Sequence, residues 1–410
     1  METILGQERA VGILQSALQT GRLHHAYIFH GPRGVGKFTA AREFARILLC
    51  HQPQRDLAGN LLACGACESC RLMKPPAPLP VDESKKRKRR KDDDGDADAP
   101  KQADPDDVFD REGHPDYHVI RKELIVFSPD SELRKRKQMN IPVSLLRERM
   151  IGGEVGGKFF ASKAFHSAQL RHGKVFIIDE AELLEEEGQN AMLKTLEEPA
   201  TDTYIILVTA SEDRLLPTIR SRCQRVPFSA LPDRIVADWI AKNAASLNEQ
   251  QVQWLARFVG GSLGKAELAL RYELFLWAKA VLPAIGEMQK SRYPADLGRA
   301  IADFINGFAE RWVDEHPNAS KEAANKQAAG LMWAMIMQHA RQKLADLSLR
   351  CPAGDPVAGE AMLEPWLGAI VAVQEAERAL ASNVNLSLTC DGLVAALYRA
   401  LAPPVAAGRP

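Results

Sequence analysis

Short runs rich in apolar residues alternate with helical stretches in the first half of the chain. The runs lie at residues 26–29, 114–120, 174–178, 204–208 and 225–228. Apolar runs of this length, separated by helical stretches, are typical of buried strands in a parallel sheet. Apolar residues recur at helical spacing over 38–49 and 190–198, and the second stretch stops at Pro199 because a proline ring clashes with the preceding turn. The pattern predicts an α/β domain over residues 1–228.

From residue 229 onward the chain is predicted to be helical. Amphipathic stretches cover residues 274–288, 329–347, 361–381 and 386–401. No cluster of catalytic residue types occurs there, which favours packing and assembly over chemistry. We therefore expect a small helical domain at 229–273, an all-α oligomerisation domain at 274–402 and a disordered tail at 403–410.

The segment between the first strand and the first of these helices has the glycine spacing of a phosphate-binding loop. Glycines allow successive backbone N–H groups to approach phosphate oxygens, and a lysine adds positive charge. The residues expected to bind nucleotide here are Gly31, Gly34, Gly36 and Lys37. The alternative is a glycine-rich turn that binds nothing.

The residue that follows this loop is unusual. A hydroxyl normally holds Mg²⁺ at this point, but the chain has Phe38. Thr39 does not easily replace that hydroxyl, because one residue turns a helix by about 100°. We therefore expect ATP or ADP to be bound without turnover and Mg²⁺ to be held poorly.

Four further residues carry chemistry that suits such a loop. Asp179 and Glu180 follow the apolar strand at 174–178, where an aspartate would orient Mg²⁺ and a glutamate would polarise the attacking water. Thr209 ends the next strand, where its hydroxyl could lie near the terminal phosphate, although a strand threonine without a ligand is an equal alternative. Arg222 could stabilise phosphoryl transfer across a subunit boundary, although surface arginines usually form only weak ion pairs.

Four of the seven cysteines lie in one short stretch. Cys50, Cys64, Cys67 and Cys70 offer four soft ligands, which suit a closed tetrahedral zinc site with a structural role. An iron–sulfur cluster and unligated thiols are the alternatives. Cys223, Cys351 and Cys390 stand alone in the sequence and are expected to be ordinary buried or half-buried residues.

Charge is concentrated in one segment. Lys plus Arg and Asp plus Glu number 53 each, so no overall field marks the chain as a nucleic-acid binder. Residues 74–113 combine prolines, a basic run at 85–91 and an aspartate-rich run, which predicts a disordered insertion; a DNA-binding tether is the alternative. The start of the chain has no signal-peptide pattern and no apolar run reaches about 18 residues, so a soluble cytoplasmic protein is expected.

The motifs together resemble the clamp-loader branch of the AAA+ ATPases, which includes the γ/τ and δ′ subunits of bacterial DNA polymerase III. The resemblance covers nearly the whole chain. The most specific segments are 193–199 and Ser221-Arg222-Cys223, and the others are Leu5-Gly6-Gln7, His24 to Tyr27, the cysteine module and His114-Pro115-Asp116. The resemblance implies a P-loop AAA+ parallel-sheet domain with a zinc module at about 50–71, a helical lid domain and a C-terminal helical collar.

Two departures from the family pattern favour a δ′-type member. Phe38 replaces the hydroxyl, and Gly264 stands where a γ-type motor has an arginine after Gly-Ser-Leu. With Arg222 retained, the resemblance implies a polymerase holoenzyme component with little ATPase activity of its own, in which Arg222 acts in trans and Glu180 is a vestigial base. The expected partners are γ/τ and δ, with the sliding clamp and primed DNA reached through the hetero-oligomeric complex, and no membrane.

Two other functions stay open at this point. The chain could be a γ/τ-like motor in which Thr39 or water replaces the lost hydroxyl. It could also be a DNA-binding module that works through the zinc site and the basic run at 85–91.

Overall fold

A computed structural model describes residues 4–73, 113–136, 138–170, 172–244, 247–316, 319–350 and 356–403. Most of the predicted insertion at 74–113 and of the predicted tail at 403–410 therefore lies outside the described residues. Contacts divide the chain into two compact units. The first contains residues 1–235, 261–264 and 316–320, and the second contains the remaining residues.

A five-stranded parallel sheet forms the centre of the first unit. The strands are β1 (Ala26–His30), β4 (Tyr117–Ile120), β7 (Lys174–Ile178), β8 (Thr203–Thr209) and β9 (Gln224–Pro227). Their order across the sheet is β4-β7-β8-β1-β9. Because all five strands run the same way, the segments that follow them meet at one edge of the sheet. This edge carries the phosphate-loop sequence, Asp179 and the residues after β4.

Side chains alternate between two apolar layers, one on each face of the sheet. Ile28 and Phe176 point into a cluster that includes Leu146 and Met192. Their neighbours along the strands point into the opposite cluster, which includes Phe44. Both faces are therefore covered, as expected for strands without a polar side.

Helices Glu8–Thr20 and Lys37–Leu48 contribute to one layer, and helices Val143–Leu146, Glu186–Glu197 and Pro217–Arg220 contribute to the other. Helix Ser131–Arg134 is a further short helix of this unit. Asp130 caps it through backbone N–H groups of Glu132 and Leu133. Segments of 3-10 helix occur at Lys122–Phe127, Ala181–Leu183 and Glu212–Arg214, and a π-helical turn occurs at Arg147–Ile151.

Two small antiparallel pairs complete this unit. Strands β5 (Gly153–Val155) and β6 (Lys158–Phe160) form one, and β2 (Gln54–Arg55) and β3 (Leu61–Leu62) form the other. The second pair and helix Glu68–Leu72 belong to the cysteine-containing module. Gly113 returns against the end of this module, where a Cβ on it would lie 3.0 Å from the carbonyl oxygen of Leu72.

The second unit consists of helices in its described part. Their bounds are Asp233–Asn243, Glu249–Val259, Leu263–Arg271, Leu274–Met288, Leu297–Glu315, Lys321–Ser348, Pro356–Ala381 and Leu386–Leu401. Each of the four predicted amphipathic stretches lies within one of these helices, whereas Leu297–Glu315 was not predicted as a separate stretch. The core of the second unit includes Trp277, Phe308, Met332 and Leu397. The division into a lid and a collar stays a prediction.

No helix in the described ranges is both long and apolar enough to span a bilayer.

Candidate functional site

The phosphate-loop sequence occupies the turn between β1 and helix Lys37–Leu48. Gly31 has φ 139° and Gly34 has φ 72°, backbone conformations that favour glycine. A Cβ on Gly31 would lie 2.1 Å from the carbonyl oxygen of Phe228, so no larger residue fits there. Within the described chain, no hydrogen-bond acceptor is found for the backbone N–H groups of Gly34, Val35 and Gly36. The loop thus presents a row of donors of the kind that binds phosphate oxygens.

Lys37 folds back onto its own loop. Its side-chain nitrogen donates to the carbonyl oxygens of Gly31 and Pro32 at 2.7 and 2.5 Å. Burial lowers the pKa of Lys37 to about 8, although Glu182 and Asp179 act in the opposite direction. The lysine is therefore close to the phosphate position but is satisfied by the protein itself.

Residues 261–264 pack against the other side of the loop. The Ser262 hydroxyl donates to the carbonyl oxygen of Arg33 at 2.9 Å, and the Gly264 N–H donates to the carbonyl oxygen of Gly34 at 2.9 Å. A Cβ on Gly264 would lie 2.8 Å from the Gly34 Cα. The glycine that replaces the arginine expected in a motor subunit therefore permits a direct backbone contact with the loop.

An arginine occupies the space between Phe38 and Asp179. The guanidinium carbon of Arg121 lies 4.1 Å from the centroid of the Phe38 ring, a cation–π distance. A guanidinium nitrogen of the same residue lies 2.9 Å from the Asp179 carboxylate. Burial raises the pKa of Asp179, and Arg121 opposes that rise. The aspartate predicted to hold a metal is thus paired with a cation from its own chain.

The neighbouring carboxylates are also paired. Glu180 forms an ion pair with Lys122 and a longer one, at 3.7 Å, with Arg33. Glu182 lies 3.4 Å from Arg33 and accepts the backbone N–H of Ala210 at 3.2 Å. Glu180, predicted to be a vestigial base, therefore lies in an ion-pair cluster, where both of its carboxylate oxygens have cationic partners.

These residues do not fit a bound Mg²⁺ ion. Such an ion requires oxygen ligands in a nearly octahedral arrangement and is usually held by one or two carboxylates with substrate phosphates. Residue 38 supplies a ring instead of an oxygen, and the Asp179 carboxylate is bonded to Arg121. The carboxylate that would have to hold the metal is thus already paired with a positive charge.

Thr209 lies at the carboxyl end of β8, beside His30 in the strand register. Its hydroxyl accepts the backbone N–H of Ser211 at 3.0 Å and the residue is buried. This local bond shapes the turn after the strand, and the nucleotide contact predicted for Thr209 stays a prediction.

Arg222 lies outside this cluster, on the surface after helix Pro217–Arg220. It pairs with Glu197 at 2.6 Å and donates to the carbonyl oxygen of Thr218 at 2.9 Å, with 35% of its side chain exposed. The next residue, Cys223, is buried in the core, and burial raises its thiol pKa to about 12. An inert, packed cysteine therefore fixes the backbone from which an accessible arginine projects.

The four clustered cysteines come together as predicted. All their sulfur atoms lie within 4.8 Å of one another, with Cys50–Cys67 and Cys64–Cys70 distances of 4.0 Å. Sulfurs bound tetrahedrally to zinc at about 2.3 Å would be about 3.8 Å apart. Backbone N–H groups of Ala66 and Cys67 lower the pKa of Cys64 to about 6. The donor set and its spacing therefore fit a tetrahedral metal ion.

Buried polar residues attach this module to the sheet. The His114 ring accepts the backbone N–H of Asp116 at 3.1 Å through Nδ1, so Nε2 is the protonated nitrogen that donates to the Ser69 hydroxyl at 2.9 Å. The Asp116 carboxylate accepts backbone N–H groups of Gln169 and Leu170, both at 2.8 Å. The His-Pro-Asp motif thus has a structural role that sequence reasoning left unassigned.

Sequence reasoning also missed Arg121 and Lys122. A usable signal was present, because these two cations directly follow a predicted strand. In a parallel sheet they must lie at the same edge as Asp179.

The sequence model of a family described as DNA polymerase III, delta subunit, matches residues 6–77 and 107–232. Similar curated proteins include the γ/τ subunit from Mycobacterium tuberculosis H37Rv, 31% identical over 239 residues, which are 58% of this chain and 30% of that protein. The δ′ subunits of Pseudomonas aeruginosa and Escherichia coli K12 are 29% and 26% identical, over 58% and 62% of this chain and 53% and 56% of their own. The chain belongs to the clamp-loader family of DNA polymerase III subunits.

Family membership agrees with the architecture of the first unit, a P-loop AAA+ domain with a parallel sheet and a cysteine module, followed by helices. This clamp-loader chain spans about half the length of the δ′ relatives and less of the γ/τ relatives. A solved structure of a γ subunit-related protein from Thermotoga maritima aligns over 70% of this chain and 84% of its own, with 18% identity and a TM-score of 0.31. The relatives divide between two subunit types, γ/τ and δ′.

Proposed function

We propose that this clamp-loader chain acts as a δ′-type subunit. In this role it does not hydrolyse ATP and donates Arg222 to the ATP site of a neighbouring subunit, in a cytoplasmic complex with γ/τ and δ that loads a sliding clamp onto primed DNA. The observation that supports it best is the Phe38–Arg121–Asp179 arrangement, because a cation bound to the metal-binding aspartate opposes Mg²⁺-dependent hydrolysis.

The surroundings of Arg222 suit a residue that acts in trans. Its partner Glu197 is also half-exposed, and an exposed ion pair contributes only about 0–1 kcal/mol. A neighbouring phosphate could therefore compete for the guanidinium at little cost. An arginine that stabilises a phosphoryl-transfer transition state contributes about 10³–10⁵ in rate at its site.

The cysteine module and the helical region have structural roles in the proposed subunit. The cysteine cluster binds structural zinc, since four thiolates leave no open coordination position for catalysis. Residues 229–273 form the lid and residues 274–402 form the collar that assembles with partner subunits.

The decisive experiment compares ATPase activity of the complex reconstituted with γ/τ and δ. Arg222→Ala should leave assembly intact and remove the ATPase activity of the one neighbouring site to which Arg222 is donated. Arg220→Ala is the matched control, because Arg220 is two residues away, 31% exposed and also paired with an acid, Asp213. We expect the control to retain full activity.

Two results would contradict this assignment. Unchanged ATPase in the complex with Arg222→Ala would remove Arg222 from the mechanism. Turnover by the isolated chain at the rate of the whole complex would favour the γ/τ-like motor, an alternative kept open by the γ/τ relatives at 31% identity.

A further inference from the structure

The position of Arg121 has a consequence for what the loop can bind. In a P-loop site, the residue after the lysine and the aspartate at the end of the central strand both contact Mg²⁺. The Arg121 guanidinium contacts both of these residues, at 4.1 Å from the Phe38 ring centroid and 2.9 Å from the Asp179 carboxylate. The guanidinium therefore contacts both of the residues whose counterparts hold the metal ion in such a site.

Phe38 explains why this arrangement is possible. The aromatic face of Phe38 attracts the planar guanidinium cation. A serine or threonine at this position would offer no such face. The loss of the hydroxyl and the presence of the arginine are thus two parts of one replacement.

The local charge also opposes a divalent ion. Arg33, Lys122 and Arg121 are each paired with a carboxylate at this edge of the sheet, and Lys37 adds a further cation. An added Mg²⁺ would have to displace the guanidinium from Asp179 and then remain beside it. Two positive groups side by side, the Mg²⁺ ion and the guanidinium, repel strongly in a partly buried site.

The anion-binding half of the site is intact. Gly34, Val35 and Gly36 present N–H groups without acceptors in the described chain, and Lys37 reaches the loop carbonyls beside them. Such a nest of N–H groups and cations recognises phosphate without a metal.

We propose that Arg121 replaces the divalent cation and that the loop binds nucleoside di- or triphosphates in metal-free form. Lys37 and the loop N–H groups hold the phosphates, and Arg121 supplies the charge that Mg²⁺ supplies elsewhere. This inference rests on the proposed function in that it assigns a ligand to a site that does not hydrolyse ATP.

The test measures binding of fluorescent ADP and ATP to the full-length chain, in EDTA and in excess MgCl₂. We expect binding at least as tight in EDTA as in Mg²⁺, because complexed nucleotide carries less negative charge. Arg121→Ala should weaken binding in EDTA by roughly tenfold or more, as expected for a lost charge-assisted contact. Arg46→Ala is the matched control, because Arg46 lies on the same helix as Phe38 and is also paired with a carboxylate, that of Glu43.

A second pair of variants guards against misfolding, since Arg121→Ala leaves Asp179 buried without its partner. Arg121→Ala combined with Asp179→Asn removes both charges and should fold, yet it should still bind metal-free nucleotide weakly. Phe38→Ser combined with Arg121→Ala restores the hydroxyl and removes the cation, and it should shift the preference towards Mg²⁺-bound nucleotide.

Three outcomes would overturn the proposal: wild-type binding about tenfold tighter in Mg²⁺ than in EDTA, no nucleotide binding in either buffer, or full metal-free affinity both in Arg121→Ala and in Arg121→Ala combined with Asp179→Asn. None of these outcomes affects the Arg222 test, which depends on the neighbouring subunit's site. Failure of this inference is therefore distinguishable from failure of the proposed function.

Discussion

The backbone contact between Gly264 and the phosphate loop can be tested by adding a single methyl group. Gly264→Ala would place a Cβ 2.8 Å from the Gly34 Cα and 3.4 Å from the Gly34 carbonyl oxygen. Both contacts are with backbone, so no side chain can rotate away. We expect the start of helix Leu263–Arg271 to move off the loop and to lose the hydrogen bond from the Gly264 N–H.

A second helical glycine provides a control for the intrinsic effect of the substitution. Gly12 lies in helix Glu8–Thr20, is exposed, and has nothing within 4 Å of an added Cβ. Replacing a helical glycine by alanine stabilises by up to about 1 kcal/mol. Gly12→Ala should therefore stabilise the chain, because no steric cost accompanies the gain.

The steric cost at Gly264 should exceed that gain. Forcing an extra methyl group into a packed site costs about 1–3 kcal/mol. Because the helix-propensity gain is common to both variants, their difference in unfolding free energy should be about 1–3 kcal/mol. For a domain of about 150–250 residues, this corresponds to a difference in Tm of roughly 2–12 °C.

Thermal unfolding of both variants measures this difference, and hydrogen exchange at the amides of residues 33–38 shows where it arises. We expect faster exchange in the loop for Gly264→Ala and unchanged exchange there for Gly12→Ala. Equal stabilisation by both substitutions, with unchanged loop exchange, would refute the claim that residues 261–264 pack tightly on the loop.

Three further predictions concern the metal, the buried lysine and the buried aspartate. Elemental analysis should find one zinc per chain, and Cys64→Ser should abolish it and lower Tm; iron, or no metal in native protein, would contradict the zinc assignment. Lys37→Met should stabilise the chain at pH 7 by about 1–3 kcal/mol, because burial lowers the folded-state pKa of Lys37 to about 8. The unfolded chain then binds more protons between pH 8 and its ordinary pKa of 10.5, so the wild type gains stability as pH rises through that window and the advantage of the variant should vanish above it in pH-dependent denaturation. Asp116→Asn should cost about 1–3 kcal/mol in urea unfolding, because both N–H groups lose a charged acceptor and one of them would face an NH₂ group, which cannot accept; an unchanged midpoint would contradict this role.

Three strands of the first unit could be predicted well because each is a buried apolar run with a clear end. The runs at 26–29, 174–178 and 204–208 each differ from the observed strands by at most one residue at either end. Their lateral order could not be predicted, because β1 pairs with β8 and β9, which are far away in sequence. Pairing of this kind depends on tertiary packing and leaves no local pattern.

The candidate site was predicted in part for a similar reason. Phe38 and Gly264 stand in recognisable motifs, so their departures from the family pattern are visible in the sequence alone. Arg121 belongs to no motif, and its role depends on β4 lying beside β7. Helix Leu297–Glu315 was not predicted separately, because the long helical region offered no strong boundary signal beyond its general periodicity.

The approach of Gly113 to Leu72 brings together the two described stretches of chain that flank residues 74–112. A Cβ on Gly113 would be 3.0 Å from the Leu72 carbonyl oxygen, so the cysteine module and the start of the next described stretch meet directly at this point. A connection between ends this close has almost no distance to span, and each doubling of the length of a connecting segment costs only about 0.6 kcal/mol of closure entropy. We therefore expect that a short linker in place of residues 74–112 would keep the architecture around it.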